Sequence, residues 1–185
     1  MIFFAINIFL SAFLLFQIQP MIGKFILPWF GGTPAVWSTA MLFFQALLTG
    51  GYAYAYWLVK QSKQRWIHSA LLILTLALLT TLGLVWRSPI TPSPELRPAY
   101  VEFPVFNIFF ILLASVGLPY FVLASNSPLM QAWFSRLQPT SSYARLYALS
   151  NVGSLLGLLA YPVLVEPFFS LQSQGRWLDH YARTS

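Results

Sequence analysis

The chain has 185 residues, 58% of them hydrophobic and only 8% charged. A soluble domain carries about 25% charged residues, so this chain could not solvate its own surface and reads as a membrane protein. Ten Lys and Arg against four Asp and Glu give a net charge of +6; the cations are scattered along loops, which argues against nucleic-acid binding and suits loops that face anionic lipid. The absence of cysteine excludes disulfides, thiolate metal sites and cysteine nucleophiles.

A membrane crossing takes about 20 apolar residues, from a hydrocarbon core of roughly 30 Å at ~1.5 Å per residue. Five segments qualify, giving an all-α integral membrane bundle over residues 1–168 and a short polar tail over 169–185. The first runs near 2–22 and is expected to bend or end at Pro20. Its apolar start lacks the basic n-region and cleavage site of a signal peptide, so it is read as a retained helix. Gln17 to Trp37 follows, with Lys24 between Pro20 and Pro28 and a turn at Gly31-Gly32. The second span lies near 34–59 and leads into the basic loop Lys60 to Arg65. The third lies near 66–86, and the proline-rich stretch Arg87 to Phe103 is expected to be extended and irregular. The fourth lies near 104–125, with a kink at Pro119. Ser127-Pro128 reads as an N-cap followed by proline at the first helical position, which predicts a separate interfacial helix near 128–137. The fifth span lies near 143–165. All seven tryptophans fall at or beyond expected span ends, where an indole sits half buried in the headgroup layer. The two sides carry five cations each, so orientation is not decided by count; the density of the second loop favours a cytoplasmic N-terminus.

Few residues offer chemistry. Lys24 lies 22 residues beyond Ile2 and Glu166 lies 23 beyond Tyr143, about 33 and 34 Å of helix. Helices one and five start on the same face, so both charges reach the same far interface beside proline-disturbed backbone. They are a candidate structural ion pair, against the plainer reading that Lys24 snorkels and Glu166 ends its helix. Asn126 closes the fourth span and Asn151 opens the fifth on one face; with Ser125, Ser127 and Ser150 they form a candidate polar cluster. Gly153 and Gly157 form a GxxxG motif that lets helix backbones approach closely. His68 and His180 sit at a span end and in the tail, and read as interfacial or solvated residues rather than cofactor ligands. No Gly-rich nucleotide loop, P-loop or metal-ligand spacing is present, and the only aspartate is Asp179. No catalytic set is expected, and no cofactor; a bound lipid or quinone-like molecule is compatible with such a chain.

FLLFQIQPMIGKFILPWFGGTPAVWSTAMLFFQALLTGGYAYA (Phe13 to Ala55), LPYFVLASNSPLMQAWF (Leu118 to Phe134) and RLYALSNVGSLLGLLAYPVLVEP (Arg145 to Pro167) resemble the N-terminal membrane region of bacterial fused MFS/spermidine synthase-like proteins. That resemblance implies a bacterial cytoplasmic (inner) membrane protein. It also implies a following synthase-like domain that binds an adenosyl-sulfonium donor and transfers an aminopropyl group. Here only the tail from Leu171 to Ser185 follows, so no catalysis is expected. The expected function is a non-catalytic membrane subunit that packs against lipids and other membrane proteins. The alternative is a transport or binding module for small cations such as polyamines, with Glu166 and the amides lining a path.

Overall fold

The computed structural model describes residues 1–85, 97, 104–138, 144–165 and 167. Among them there are helices and no strands, as expected for an apolar chain whose backbone polar groups must be satisfied internally. The helices are α1 (Ile2–Phe30), α2 (Pro34–Leu58), α3 (Gln64–Val85), α4 (Pro104–Leu112), α5 (Leu118–Leu137) and α6 (Ala144–Ala160). A π turn, Leu113–Gly117, joins α4 to α5, and a second, Tyr161–Val165, extends α6. The chain therefore folds as an all-α bundle of five rods.

Among the described residues four rods are long and apolar enough to cross a membrane: Ile2–Phe30, Gln64–Val85, Pro104–Leu137 and Ala144–Leu164. The protein is membrane-embedded. α2 occupies the expected second span and has the length, 25 residues, but is not among the four. Gln45, Thr49, Gly50, Gly51 and three tyrosines lower its apolarity.

The prolines disturb the rods less than their sequence positions predict. α1 does not end near Pro20; it continues through Pro20 and Pro28 to Phe30. Each proline removes one bond, to the carbonyls of Phe16 and Lys24 respectively, and the remaining ladder carries the helix on. Gly31 stops it with φ +76°, a conformation that disfavours any side chain. Thr33 then caps α2, its Oγ1 accepting from the Val36 N–H at 3.5 Å, with Pro34 at the first helical position. Nor does a separate interfacial helix start at Ser127-Pro128. Residues 128–137 continue α5, and Pro104–Leu137 is one rod of 34 residues. Pro119 lies two residues past the π turn, in the first turn of α5, and the wider π backbone accommodates its ring against the Ser115 carbonyl. The Ser125 hydroxyl donates to the Val122 carbonyl at 2.8 Å, and Pro128 is carried inside the helix one turn later.

The α4–α5 rod is central, with α1, α2, α3 and α6 around it. The main core joins Ile18, Ile22 and Ile26 of α1, Phe43 and Phe44 of α2, and Ile108, Leu112, Val116 and Tyr120 of the central rod. Phe43 meets Phe109 edge-on at 5.5 Å, and Phe44 meets Tyr120 at 5.0 Å. A smaller cluster of Ile8, Phe134 and Leu146 closes the end that carries the N-terminus. α1 and α6 make the most extensive pair. α3 lies outermost and buries only His68 and Thr75.

Candidate functional site

Glycine spacing sets the close contacts. A Cβ on Gly153 would lie 2.8 Å from the Phe9 carbonyl oxygen, and one on Gly157 2.6 Å from that of Phe13. The GxxxG face of α6 therefore lies directly on the α1 backbone. Gly51 packs the same way on α5, where a Cβ would come within 2.7 Å of the Ala124 Cβ. Both small-residue faces are used inside the chain and are not open to a second subunit.

Polar side chains cross-link the rods at two depths. Gln19 of α1 donates from Nε2 to the Tyr120 hydroxyl at 2.6 Å, and both residues are buried. Nearer the N-terminal end, Asn126 Nδ2 donates to Asn7 Oδ1 at 2.6 Å and to Ser11 Oγ. The neighbouring Ser127 hydroxyl meets Ser150 of α6 at 3.0 Å and accepts from Gln131 Nε2 at 3.2 Å. Asn126 thus ties α5 to α1, while the link from α5 to α6 passes through the two serines. Asn151 is exposed on α6, and its side chain makes no hydrogen bond among the described residues. Lys24 is half-buried within α1. Glu166, its proposed ion-pair partner, lies outside the described residues, as do Glu95, Glu102, Asp179, His180 and the tail.

A concavity opens at the end of the bundle where α1 begins, α3 begins and α5 ends. It is a crevice of ≈ 460 Å³ between those three helices. α3 contributes Arg65, His68, Ser69 and Leu72, at spacings that place them on one face; α5 contributes Val122, Leu123, Asn126, Met130 and Trp133; α1 contributes Asn7. Trp133 is held by its indole N–H donating to Gln64 Oε1 at 3.0 Å. His68 stands edge-on to Trp133 at 6.0 Å and beside Tyr54 at 6.3 Å. It is 4% exposed, and its Nδ1 has no hydrogen-bond partner among the described residues; the neighbouring Tyr54 hydroxyl is also buried and unpartnered there. A second crevice of ≈ 210 Å³ shares Arg65 and Trp133 and adds Arg136, whose Nη2 donates to the Val59 carbonyl at 2.6 Å.

The chemistry offered here is hydrogen-bond donation and positive charge at the rim of an apolar slot. Among the described residues no three His, Cys, Asp or Glu side chains converge to hold a metal ion. The sequence reading treated His68 as interfacial and did not join it to Arg65, Ser69 or Asn126. The signal was available in the i, i+3, i+4 spacing of Arg65, His68 and Ser69, and in that of Asn7 and Ser11 on α1. The partnership between α1 and α5, separated by over a hundred positions, was not.

Comparison with protein-family models, curated proteins and solved structures found no match to this chain.

Proposed function

We propose that this protein is a non-catalytic membrane subunit that packs, through α2, against a transmembrane helix of another protein. The observation that carries the reading is a polar stripe on the exposed face of α2. Ser38, Gln45, Thr49, Tyr52 and Tyr56 are all exposed and follow one another at seven-, four-, three- and four-residue spacing, which places them on one face. Gln45 lies 11 residues into α2, about 16 Å from its end and near the middle of a roughly 30 Å hydrocarbon core. Its side-chain amide has no hydrogen bond among the described residues, and hydrocarbon offers it none. The occupant that fits is a membrane helix presenting its own amide or hydroxyl groups, since interhelical hydrogen bonds are the polar glue of such packing.

The resemblance to the membrane region of fused MFS/spermidine synthase-like proteins supports the same role. There the helices accompany a soluble catalytic domain and do not carry the transfer. It also supports placement in a bacterial cytoplasmic membrane. A polyamine path would need carboxylates along it, whereas the charged walls of the crevice are Arg65 and Arg136.

The test is photo-crosslinking from position 45, with position 74 on exposed α3 as the control, followed by native mass analysis in gentle detergent. A defined membrane-protein adduct from position 45 alone is expected. Gln45→Leu should weaken the association about three- to eighteen-fold, equivalent to one interhelical hydrogen bond of roughly 0.6–1.7 kcal/mol. Lipid adducts alone from position 45, with a monomeric native mass, would overturn the reading.

A further inference from the structure

We propose that the crevice between α1, α3 and α5 is a binding site for one anionic phospholipid, with the lipid phosphate at Arg65 and its ester groups at His68 and Ser69. No residue of α2 lines it, so the site stands or falls separately from the α2 contact.

The lining is ordered by depth. Along α3 the residues run inward from Arg65 through His68 and Ser69 to Leu72, about 10 Å of helix. Along α5 they run inward from Trp133 through Met130 and Asn126 to Val122, about 16 Å. The mouth lies in the headgroup layer, marked by Trp133 and by the exposed Trp57 and Trp66 at the same end of the bundle. Charge, hydrogen-bond donors and apolar wall thus succeed one another in the order of phosphate, glycerol ester and acyl chain.

Three features of the site match that ligand. Arg65 presents a planar, forked donor set suited to a phosphate, with Arg136 on the adjoining rim. It also lies in the first turn of α3, where the helix dipole favours an anion. His68 lines the crevice while 96% buried, with an imidazole nitrogen left unpartnered. Buried polar atoms are normally paired, and an ester carbonyl is an acceptor for an imidazole N–H. The volume of ≈ 460 Å³ lies in the range of about 300–1,000 Å³ usual for ligand sites. It suits a headgroup and glycerol backbone, with the chains continuing past Leu72 and Met130 into the bilayer.

The experiment is native mass spectrometry of delipidated full-length protein titrated with phosphatidylglycerol, phosphatidylcholine or inorganic phosphate. Phosphatidylglycerol should bind at least tenfold more tightly than phosphatidylcholine, whose choline cation would face Arg65 and Arg136. Arg65→Gln should erase that preference, Arg65→Lys should keep part of it, and Arg145→Gln, on exposed α6, should leave it unchanged. Ether-linked phosphatidylglycerol should bind the native chain as weakly as the ester lipid binds His68→Phe. Equal binding of the two headgroups, or an unaltered preference in Arg65→Gln, overturns the proposal. Full displacement of the lipid by millimolar phosphate would assign the site to a free anion instead. Circular dichroism of each variant confirms that binding and not folding is being read.

Discussion

Gly157→Ala tests the contact on which the bundle depends most. The added Cβ would stand 2.6 Å from the Phe13 carbonyl oxygen, 3.2 Å from the Phe16 Cβ and 3.3 Å from the Phe13 carbonyl carbon. Two of these atoms are backbone, so no side chain can swing aside, and α1 and α6 must separate. A gap of about 0.5–1 Å forfeits a quarter to a half of the dispersion energy of each atom pair across the contact. Lipid supplies no hydrophobic drive to compensate, because van der Waals packing is itself the main force between membrane helices. A loss of about 2 kcal/mol follows, within the ~1–3 kcal/mol typical of overpacking. Gly153→Ala, with its Cβ 2.8 Å from the Phe9 carbonyl oxygen, should behave alike. The double variant should lose less than the sum, since helices already parted by one methyl relieve the second clash. Gly50→Ala is the control: its Cβ would meet only the Phe121 ring at 3.5 Å, an ordinary contact, so stability should stay within ~0.5 kcal/mol. The assay is reversible unfolding in mixed micelles. A Gly157→Ala protein as stable as the native chain and as Gly50→Ala would refute the close α1–α6 contact.

Two further outcomes concern pairs of residues. Tyr120→Phe keeps the ring against Phe44 but removes the acceptor of the Gln19 amide; a double-mutant cycle with Gln19→Leu should give a coupling of about 0.6–1.7 kcal/mol, and additive effects would contradict the bond. Gly31→Ala should cost about 1–3 kcal/mol for its positive φ although nothing lies within 4 Å of the new Cβ. Gly32→Ala, equally open but without that φ, should change stability by less than ~0.5 kcal/mol, so equal losses at the two positions would contradict this turn.

The rods were legible in the sequence because apolar length marks four of them and α2 fills a stretch of similar length, so the expected spans fall on helices. Their ends were less so. Pro20, Pro28, Pro119 and Pro128 each announce a break locally, but a proline removes one bond from a ladder of many. In an apolar chain the neighbouring helices and a π turn absorb the defect. That is why α1 runs past Pro20, and why residues 128–137 belong to the central rod. The close packing at Gly153 and Gly157 was readable as a motif, but not that its partner is the α1 backbone. Asn126 was marked as polar and near a span end, yet its partners Asn7 and Ser11 lie 119 and 115 positions away. Only the fold brings them within a hydrogen bond.

The distribution of paired and unpaired polar groups bears on where a partner would sit. Inside the bundle, Asn7, Ser11, Gln19, Tyr120, Asn126, Ser127 and Ser150 have hydrogen-bond partners, whereas the Gln17 amide, the Tyr54 hydroxyl and His68 Nδ1 are buried without one among the described residues. α3 exposes Leu72, Ile73, Leu74, Leu76, Leu84 and Val85, but such a face is as well satisfied by acyl chains as by protein and asks for nothing more. Gln45 and Asn151 differ: their amides are exposed, on α2 and α6, and make no hydrogen bond among the described residues. Lipid tails cannot supply one. On the proposed function, a protein partner would meet the exposed polar stripe of α2, although α3 is the more exposed and more apolar rod. Crosslinks to protein that formed equally from α2 and α3 would mean that apolar area, not unpaired hydrogen-bonding capacity, directs any such association.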